Sequence, residues 1–135
     1  MGRRVILDTN VLIDYERGQV DREALDDDDL AVAAITVAEY RTGIELADTP
    51  ARAAERSRAL AAITGMVEVL EYTETTAVHH ARLIAHARRQ ESPRGAHDLI
   101  IAAHAAETGR VVLSRDASAR FGALPGVLTE RPAFR

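Results

Sequence analysis

The sequence predicts an α/β fold, a three-layer α/β/α sandwich around a central, mostly parallel sheet. Two observations carry that expectation. Short apolar runs, most of them rich in β-branched residues, recur along the chain: Val5-Ile6-Leu7, Leu30–Ile35, Val67–Leu70 and Val111-Val112-Leu113. Between them lie longer stretches with helical spacing and recognisable start and stop residues. Strands that alternate with helices need crossover connections, so the sheet is parallel and covered on both faces. At 135 residues, the length prior gives a single domain, 1–135.

Val5-Ile6-Leu7 is the first strand, and it runs straight into Asp8. Thr9 and Asn10 are helix-capping types, so a short helix is expected from Asn10 to about Arg17, ended by Gly18. Asp21 to Asp29 is strongly acidic, with Asp26 to Asp29 in a row. It reads as a solvated loop or helix end rather than a metal site, because adjacent carboxylates repel and nothing fixes their geometry. Leu30–Ile35 is the second strand. Thr36 opens a helix to about Ala47, with Val37, Tyr40 and Ile44 on one face.

Pro50 opens another helix, at a position proline tolerates, and that helix closes at Gly65. Val67–Leu70 is the third strand. Thr73 caps a helix to about Gln90, and Glu91-Ser92-Pro93-Arg94-Gly95 is a loop by composition. Ala96 to Thr108 is a helix ended by Gly109, apolar on most sides and so deeply buried. Val111–Leu113 is the fourth strand. A short helical segment over Ala117–Phe121, a Pro125-Gly126 turn and an edge strand at Val127-Leu128 complete the fold. Residues 129–135 read as a loose tail.

The totals exclude several classes. There is no cysteine, so disulfide scaffolds and thiolate metal sites are out. No apolar run approaches the roughly 20 residues of a membrane span. The N-terminus has no signal-type apolar region, so a soluble cytoplasmic protein without membrane contact is expected. The net charge of −4 argues mildly against a general nucleic-acid binder, but not against an enzyme with its acids grouped at one site. All 17 basic residues are arginine. A phosphate-loop nucleotide hydrolase needs Gly-Lys and is excluded. Arginine suits bidentate contact with phosphate.

Four acids fall at comparable places. Asp8 follows the first strand and Asp116 the fourth. Glu39 and Asp98 lie in first turns of helices. In a parallel sheet, strand C-ends and the helix starts that follow them share one edge, so the four can converge there. Taken singly, each has a structural explanation. Thr36-x-x-Glu39 fits a capping box. Asp98 suits the helix dipole, Asp116 can cap the segment after it, and Asp8 can be a turn residue. Together they repel one another unless protons, arginines or divalent cations intervene. Hard oxygen donors without thiols select Mg²⁺ or Mn²⁺. That is the donor set of a metal-dependent phosphodiesterase, in which a metal-activated water attacks phosphorus.

These segments also resemble a known family. Leu7-Asp8-Thr9-Asn10-Val11-Leu12-Ile13-Asp14 resembles the opening motif of PIN-domain proteins. Ile35–Gly43, with Glu39, resembles their second motif. His97-Asp98-Leu99-Ile100-Ile101-Ala102-Ala103 resembles the third. Ser114-Arg115-Asp116, then Phe121 and Leu124-Pro125-Gly126-Val127, resembles the fourth, with Ser114 where threonine is commoner. Small single-domain members of this size mostly resemble VapC-type toxins of bacterial toxin–antitoxin pairs. The resemblance implies a PIN-like fold and an Mg²⁺- or Mn²⁺-dependent endoribonuclease. Asp8 and Asp98 would be the primary metal ligands, with Glu39 and Asp116 completing the acidic cluster. Thr9, Asn10 and Ser114 would be supporting polar groups. It further implies homodimers and inhibition by a cognate antitoxin.

Arg88, Arg89 and Arg94 flank the loop before Asp98 and could contact an RNA backbone. They equally fit a solvated helix end. Arg115 could contact RNA or pair with a site acid. The histidines, His79, His80, His86, His97 and His104, lack the spacing of a helical zinc site and read as surface or structural. With aromatics at 4%, base stacking is a minor means of recognition. The alternatives are a haloacid-dehalogenase-like phosphatase and a non-catalytic binding module. The first is opposed by Asn10 where that family uses an acid, and by the missing lysine, which also counts against a receiver-like switch.

Overall fold

The computed structural model describes residues 2–116 and 119–134. Five strands form one sheet: β1 (Arg4–Leu7), β2 (Asp29–Ala33), β3 (Glu68–Leu70), β4 (Val111–Leu113) and β5 (Leu128–Glu130). Their order is β3-β2-β1-β4-β5, and every pairing is parallel. The helices are α1 (Thr9–Glu16), α2 (Ala34–Glu45), α3 (Pro50–Thr64), α4 (Glu74–Arg89) and α5 (Ala96–Thr108). The expected three-layer α/β/α architecture is the observed one.

Alternation along the strands builds the layers, since successive side chains leave a strand on opposite faces. Ile6, Ala31, Ala33 and Val112 pack with Leu83 of α4, with Leu99 and Ile101 of α5, and with Phe121. Val5, Leu7, Val32 and Leu113 pack on the other side with Val11, Leu12 and Tyr15 of α1 and Ile63 of α3. A sheet buried on both faces explains why its strands read as continuous apolar runs.

The topology also places the site. The strand order extends one way from β1 to β2 and β3, and the other way to β4 and β5. The crevice between β1 and β4 is therefore where the winding reverses, the place where open parallel sheets bind ligands. Asp8 follows β1, and Ser114 follows β4.

Several boundaries differ from the sequence expectation. Helix α1 starts at Thr9 because Asp8 itself is the N-cap, rather than Thr9 or Asn10. Helix α2 starts at Ala34, two residues before Thr36, with no side-chain cap. The last strand runs over Leu128–Glu130, so Thr129 and Glu130 belong to the sheet rather than to a loose tail. Farther along, Asp21 N–H donates to the Ala133 carbonyl at 2.9 Å, and Val20 bridges Phe134. Of the helical segment expected over Ala117–Phe121, Ala117 and Ser118 lie outside the described residues. A 3-10 turn follows at Phe121–Ala123. The acidic run at Asp26–Asp29 leads into β2, at the sheet edge opposite Asp8. There Asp28 pairs with Arg3 at 2.7 Å.

Candidate active site

Asp8 is nearly fully buried, with 4% exposure. Both carboxylate oxygens accept hydrogen bonds. Oδ1 takes the Thr9 amide and Oδ2 the Ser114 hydroxyl, each at 2.8 Å. Ser114 Oγ in turn accepts the Asp116 amide at 3.1 Å. One hydroxyl therefore links the C-terminal ends of β1 and β4 and sets Asp116 relative to Asp8. The backbone repeats the link, since Asp8 N–H donates to the Leu113 carbonyl at 3.0 Å.

Glu39 enters from α2. Its Oε1 accepts the Thr9 hydroxyl at 3.0 Å and lies 3.4 Å from His97 Nδ1. The capping-box expectation for Glu39 fails for a geometric reason. With α2 beginning at Ala34, Thr36 is a fully buried residue inside the helix, and its hydroxyl lies 3.5 Å from that of Thr9. Glu39 is thereby left to face the site.

Asp98 lies in the first turn of α5, which has glycine at its N-cap. A Cβ on Gly95 would come within 3.1 Å of an Asp98 carboxylate oxygen. The missing side chain is what lets the carboxylate lie over the helix start.

The four acids feel one another. Burial pushes the Asp8 carboxyl above its ordinary value. The Ser114 and Thr9 hydrogen bonds oppose that shift, and the negative Asp116 and Glu39 add to it. Asp98 is also raised, first by burial and then by Asp8, Asp116 and Glu39, with His97 opposing. The structure thus brings the four sequence-predicted acids within electrostatic reach of one another, with Thr9 and Ser114 hydrogen-bonded to Asp8, Glu39 and the Asp116 amide. Asn10 is half-buried in the first turn of α1.

The donor set suits a divalent cation. It is all oxygen, carries several negative charges and includes carboxyls whose ionisation burial opposes. Among the described residues, no three acid or histidine side chains already stand close enough to enclose an ion.

The arginines are placed unequally. Arg88 and Arg89 are exposed at the end of α4. Arg94 is turned inward, with Nη1 donating to the Ala119 and Arg120 carbonyls at 2.7 Å each. Arg115 pairs through Nε with Asp14 at 3.1 Å rather than with one of the four acids. Asp14 is 2% exposed, and sequence reading gave it no role beyond the motif. Its signal was there to find, as an acid inside the apolar run Val11-Leu12-Ile13-Asp14-Tyr15. Among the described residues, three depressions border the acids. One, of about 570 Å³, includes Arg88, Arg94, Ala96 and Leu99. Another, of about 440 Å³, includes Glu39, Tyr40 and Arg17. A third, of about 270 Å³, includes Ser114, Arg115 and Asp116.

A parallel sheet with carboxylates gathered at its switch point defines a class of α/β proteins with an acidic crevice, and comparison with known proteins gives the family its name. The model of the PIN domain family matches residues 5–123, and the chain belongs to that family. Within it, the chain stands among the VapC proteins. It is 36% identical over 121 residues to Ribonuclease VapC5 of Mycobacterium tuberculosis, spanning 90% of this chain and 87% of that one. It is 29% identical over 134 residues to the tRNA(fMet)-specific endonuclease VapC of Salmonella typhimurium, spanning 94% and 96%. The crystal structure of VapBC-5 of Mycobacterium tuberculosis, a member of the VapBC family of toxin–antitoxin systems, superposes with a TM-score of 0.78. That match has 29% identity and covers 95% of this chain and 98% of that one.

Proposed function

We propose that the protein is an endoribonuclease dependent on Mg²⁺ or Mn²⁺, the toxin of a toxin–antitoxin pair. The observation that carries this reading is the convergence of Asp8, Glu39, Asp98 and Asp116 at one sheet edge, with Asp8 almost fully buried. Asp8 and Asp98 would hold the cation, and Glu39 and Asp116 would complete its surroundings, directly or through water. A cation bound there supplies charge neutralisation at the scissile phosphate and lowers the pKa of water.

The chain's own groups do the rest. Ser114 and the Thr9 amide orient the Asp8 carboxylate, so that its free lone pairs face the crevice. The Thr9 hydroxyl fixes Glu39. Exposed Arg88 and Arg89 offer phosphate contacts beside α5. Residues 1–135 act as one domain, paired as a homodimer in the cytoplasm and held inactive by a cognate antitoxin. The antitoxin partner and the tRNA class of substrate are suggested by the relatives named above. No helix among the described residues is long and apolar enough to cross a membrane.

The test is incubation with a panel of structured RNAs in Mg²⁺, Mn²⁺ or chelator. Cleavage is expected with either cation and not with chelator. Asp8→Asn should lower it by more than about 100-fold, beyond the 10–100-fold typical of groups behind a metal's ligands. It should do so without loss of the folded far-ultraviolet spectrum. Wild-type cleavage by Asp8→Asn would remove Asp8 from the chemistry. Turnover of a small phosphomonoester without RNA cleavage would point to a phosphatase instead.

A further inference from the structure

We infer that Arg94 and Arg115 are positioning residues, which staple the residues flanking Asp116, Arg115 before it and Ala119 and Arg120 after it, to the two elements that carry Asp8 and Asp98. The inference rests on the metal-site reading of the acids.

Each arginine reaches from one element to another. Arg115 lies between Ser114 and Asp116, and its Nε is 3.1 Å from Asp14 Oδ2 on α1, the helix that Asp8 caps. Asp14 has a 4% exposed side chain, and this ion pair is its counter-charge. Arg94 precedes Gly95, the N-cap of α5, and so stands just before Asp98. Its Nη1 donates to the carbonyls of Ala119 and Arg120, which follow Asp116 in the chain. Arg120 answers from its own side chain, donating from Nη2 to Ser92 Oγ at 2.6 Å. One arginine therefore ties the residue before Asp116 to α1, and the other ties Ala119 and Arg120 to the approach to α5.

Such a frame has a physical purpose. Asp116 carries the same charge as Asp8 and Asp98, and like charges on a turn push it away from the cluster. The arginines resist that movement from the side: Arg94 donates to backbone carbonyls while its charge also feels Asp98, and Arg115 forms an ion pair with Asp14. An arginine with one nitrogen on two carbonyls and its Nε buried is poorly placed to swing out to an RNA phosphate. This separates Arg94 from the exposed Arg88 and Arg89, whereas Arg115, half of whose side chain is exposed, differs from them by its ion pair with Asp14.

The test uses the full chain and Arg94→Ala, Arg115→Ala and the double variant Asp14→Asn/Arg115→Ala. The double variant is needed because Arg115→Ala strands a buried carboxylate and risks unfolding, whereas removing both charges does not. Three measurements are made: Mn²⁺ affinity by calorimetry, amide hydrogen exchange, and KM for RNA as a function of salt. The expected result is Mn²⁺ affinity weakened about 10–100-fold in each variant. The Asp116 and Ala119 amides should exchange faster, with KM and its salt slope unchanged, and Arg115→Lys should restore part of the affinity. Wild-type exchange and affinity in all variants would overturn the inference. So would a raised KM with a shallower salt slope, which would make these arginines phosphate contacts. If the wild-type protein binds no Mn²⁺, the metal reading fails, and the exchange measurement alone decides whether the staples exist.

Discussion

Asp8 meets three demands at once. It ends the central strand, it caps α1 through its contact with the Thr9 amide, and it presents a carboxylate that burial opposes ionising. The third demand costs stability unless a cation is present. Asp98 shares the problem without the cap, so it is the better probe. Its carboxyl is raised in the folded chain, so the folded state holds a proton through a range where the unfolded state has lost it. Stability therefore falls as pH rises through that range. The penalty is absent below the ordinary aspartate value and complete above the raised one. Asp98→Asn should remove it. In chelator near neutral pH, solvent screening holds the gain to about 1 kcal/mol or less, a rise of roughly 3–5 °C in Tm. Scanning calorimetry should show the gain shrinking on acidification to about pH 4. An unchanged difference at the two pH values would mean that charge is not its source.

His104 titrates with the opposite sign. Its ring is 1% exposed between α4 and α5, and neither ring nitrogen has a hydrogen-bond partner. Burial depresses its pKa, with Glu107 opposing and His80 adding. The unfolded chain takes up the proton first, so stability present above the ordinary histidine value is lost as pH falls through it. His104→Leu should flatten chemical-denaturation midpoints between about pH 7 and pH 5. An unchanged slope would place the acid sensitivity elsewhere.

At the scale of elements, helix starts decide where the acids point. Helix α5 opens on a glycine without a side-chain cap, and the space that glycine leaves is filled by the Asp98 carboxylate. Gly95 has ordinary helical-cap dihedrals, so alanine is sterically allowed in the backbone. Its methyl would displace Asp98 by a few tenths of an ångström. Catalytic groups must be held within about 0.5 Å of the productive geometry, and this shift uses up most of that margin, so Gly95→Ala should lower kcat by no more than about two- to three-fold. Stability should change by no more than about 0.5 kcal/mol, the modest difference expected between these residues at a cap. Wild-type kcat in this variant would mean that Asp98 needs no such placement. Glu39 teaches a related lesson. Its capping role was lost when α2 began two residues earlier than Thr36 suggests, which freed the carboxylate for Thr9 and His97.

On the scale of the whole molecule, the two sheet edges divide the work. The C-terminal edge gathers carboxylates. The N-terminal edge is closed by Arg110, a buried arginine whose Nη1 donates to the Val5 and Asp29 carbonyls at 3.1 and 2.9 Å, while Nη2 reaches Glu68 at 3.0 Å. Three strands are tied there by one side chain. Arg110→Ala leaves buried carbonyls short of a donor and should cost about 2–3 kcal/mol. It should leave RNA cleavage per folded molecule unchanged, because the site lies at the other edge. Denaturant titration and single-turnover cleavage would check the two halves separately, and a fall in cleavage would show that the edges are coupled.

The sequence by itself determined the architecture and the list of acids. Apolar runs such as Val5–Leu7 and Val111–Leu113 can only be buried strands, and α5 was legible to the residue from Ala96 to Gly109. Burial on both faces leaves a strong local signal, and so does a carboxylate set directly after a strand. Tertiary structure alone decided what the polar groups do to one another. The Ser114 bond to Asp8 spans 106 residues of chain, and no local pattern separates Arg115, committed to Asp14, from Arg88, free at a helix end. Hydrogen bonds and ion pairs act over a few ångströms in space, and which groups come that close is settled only when the layers pack.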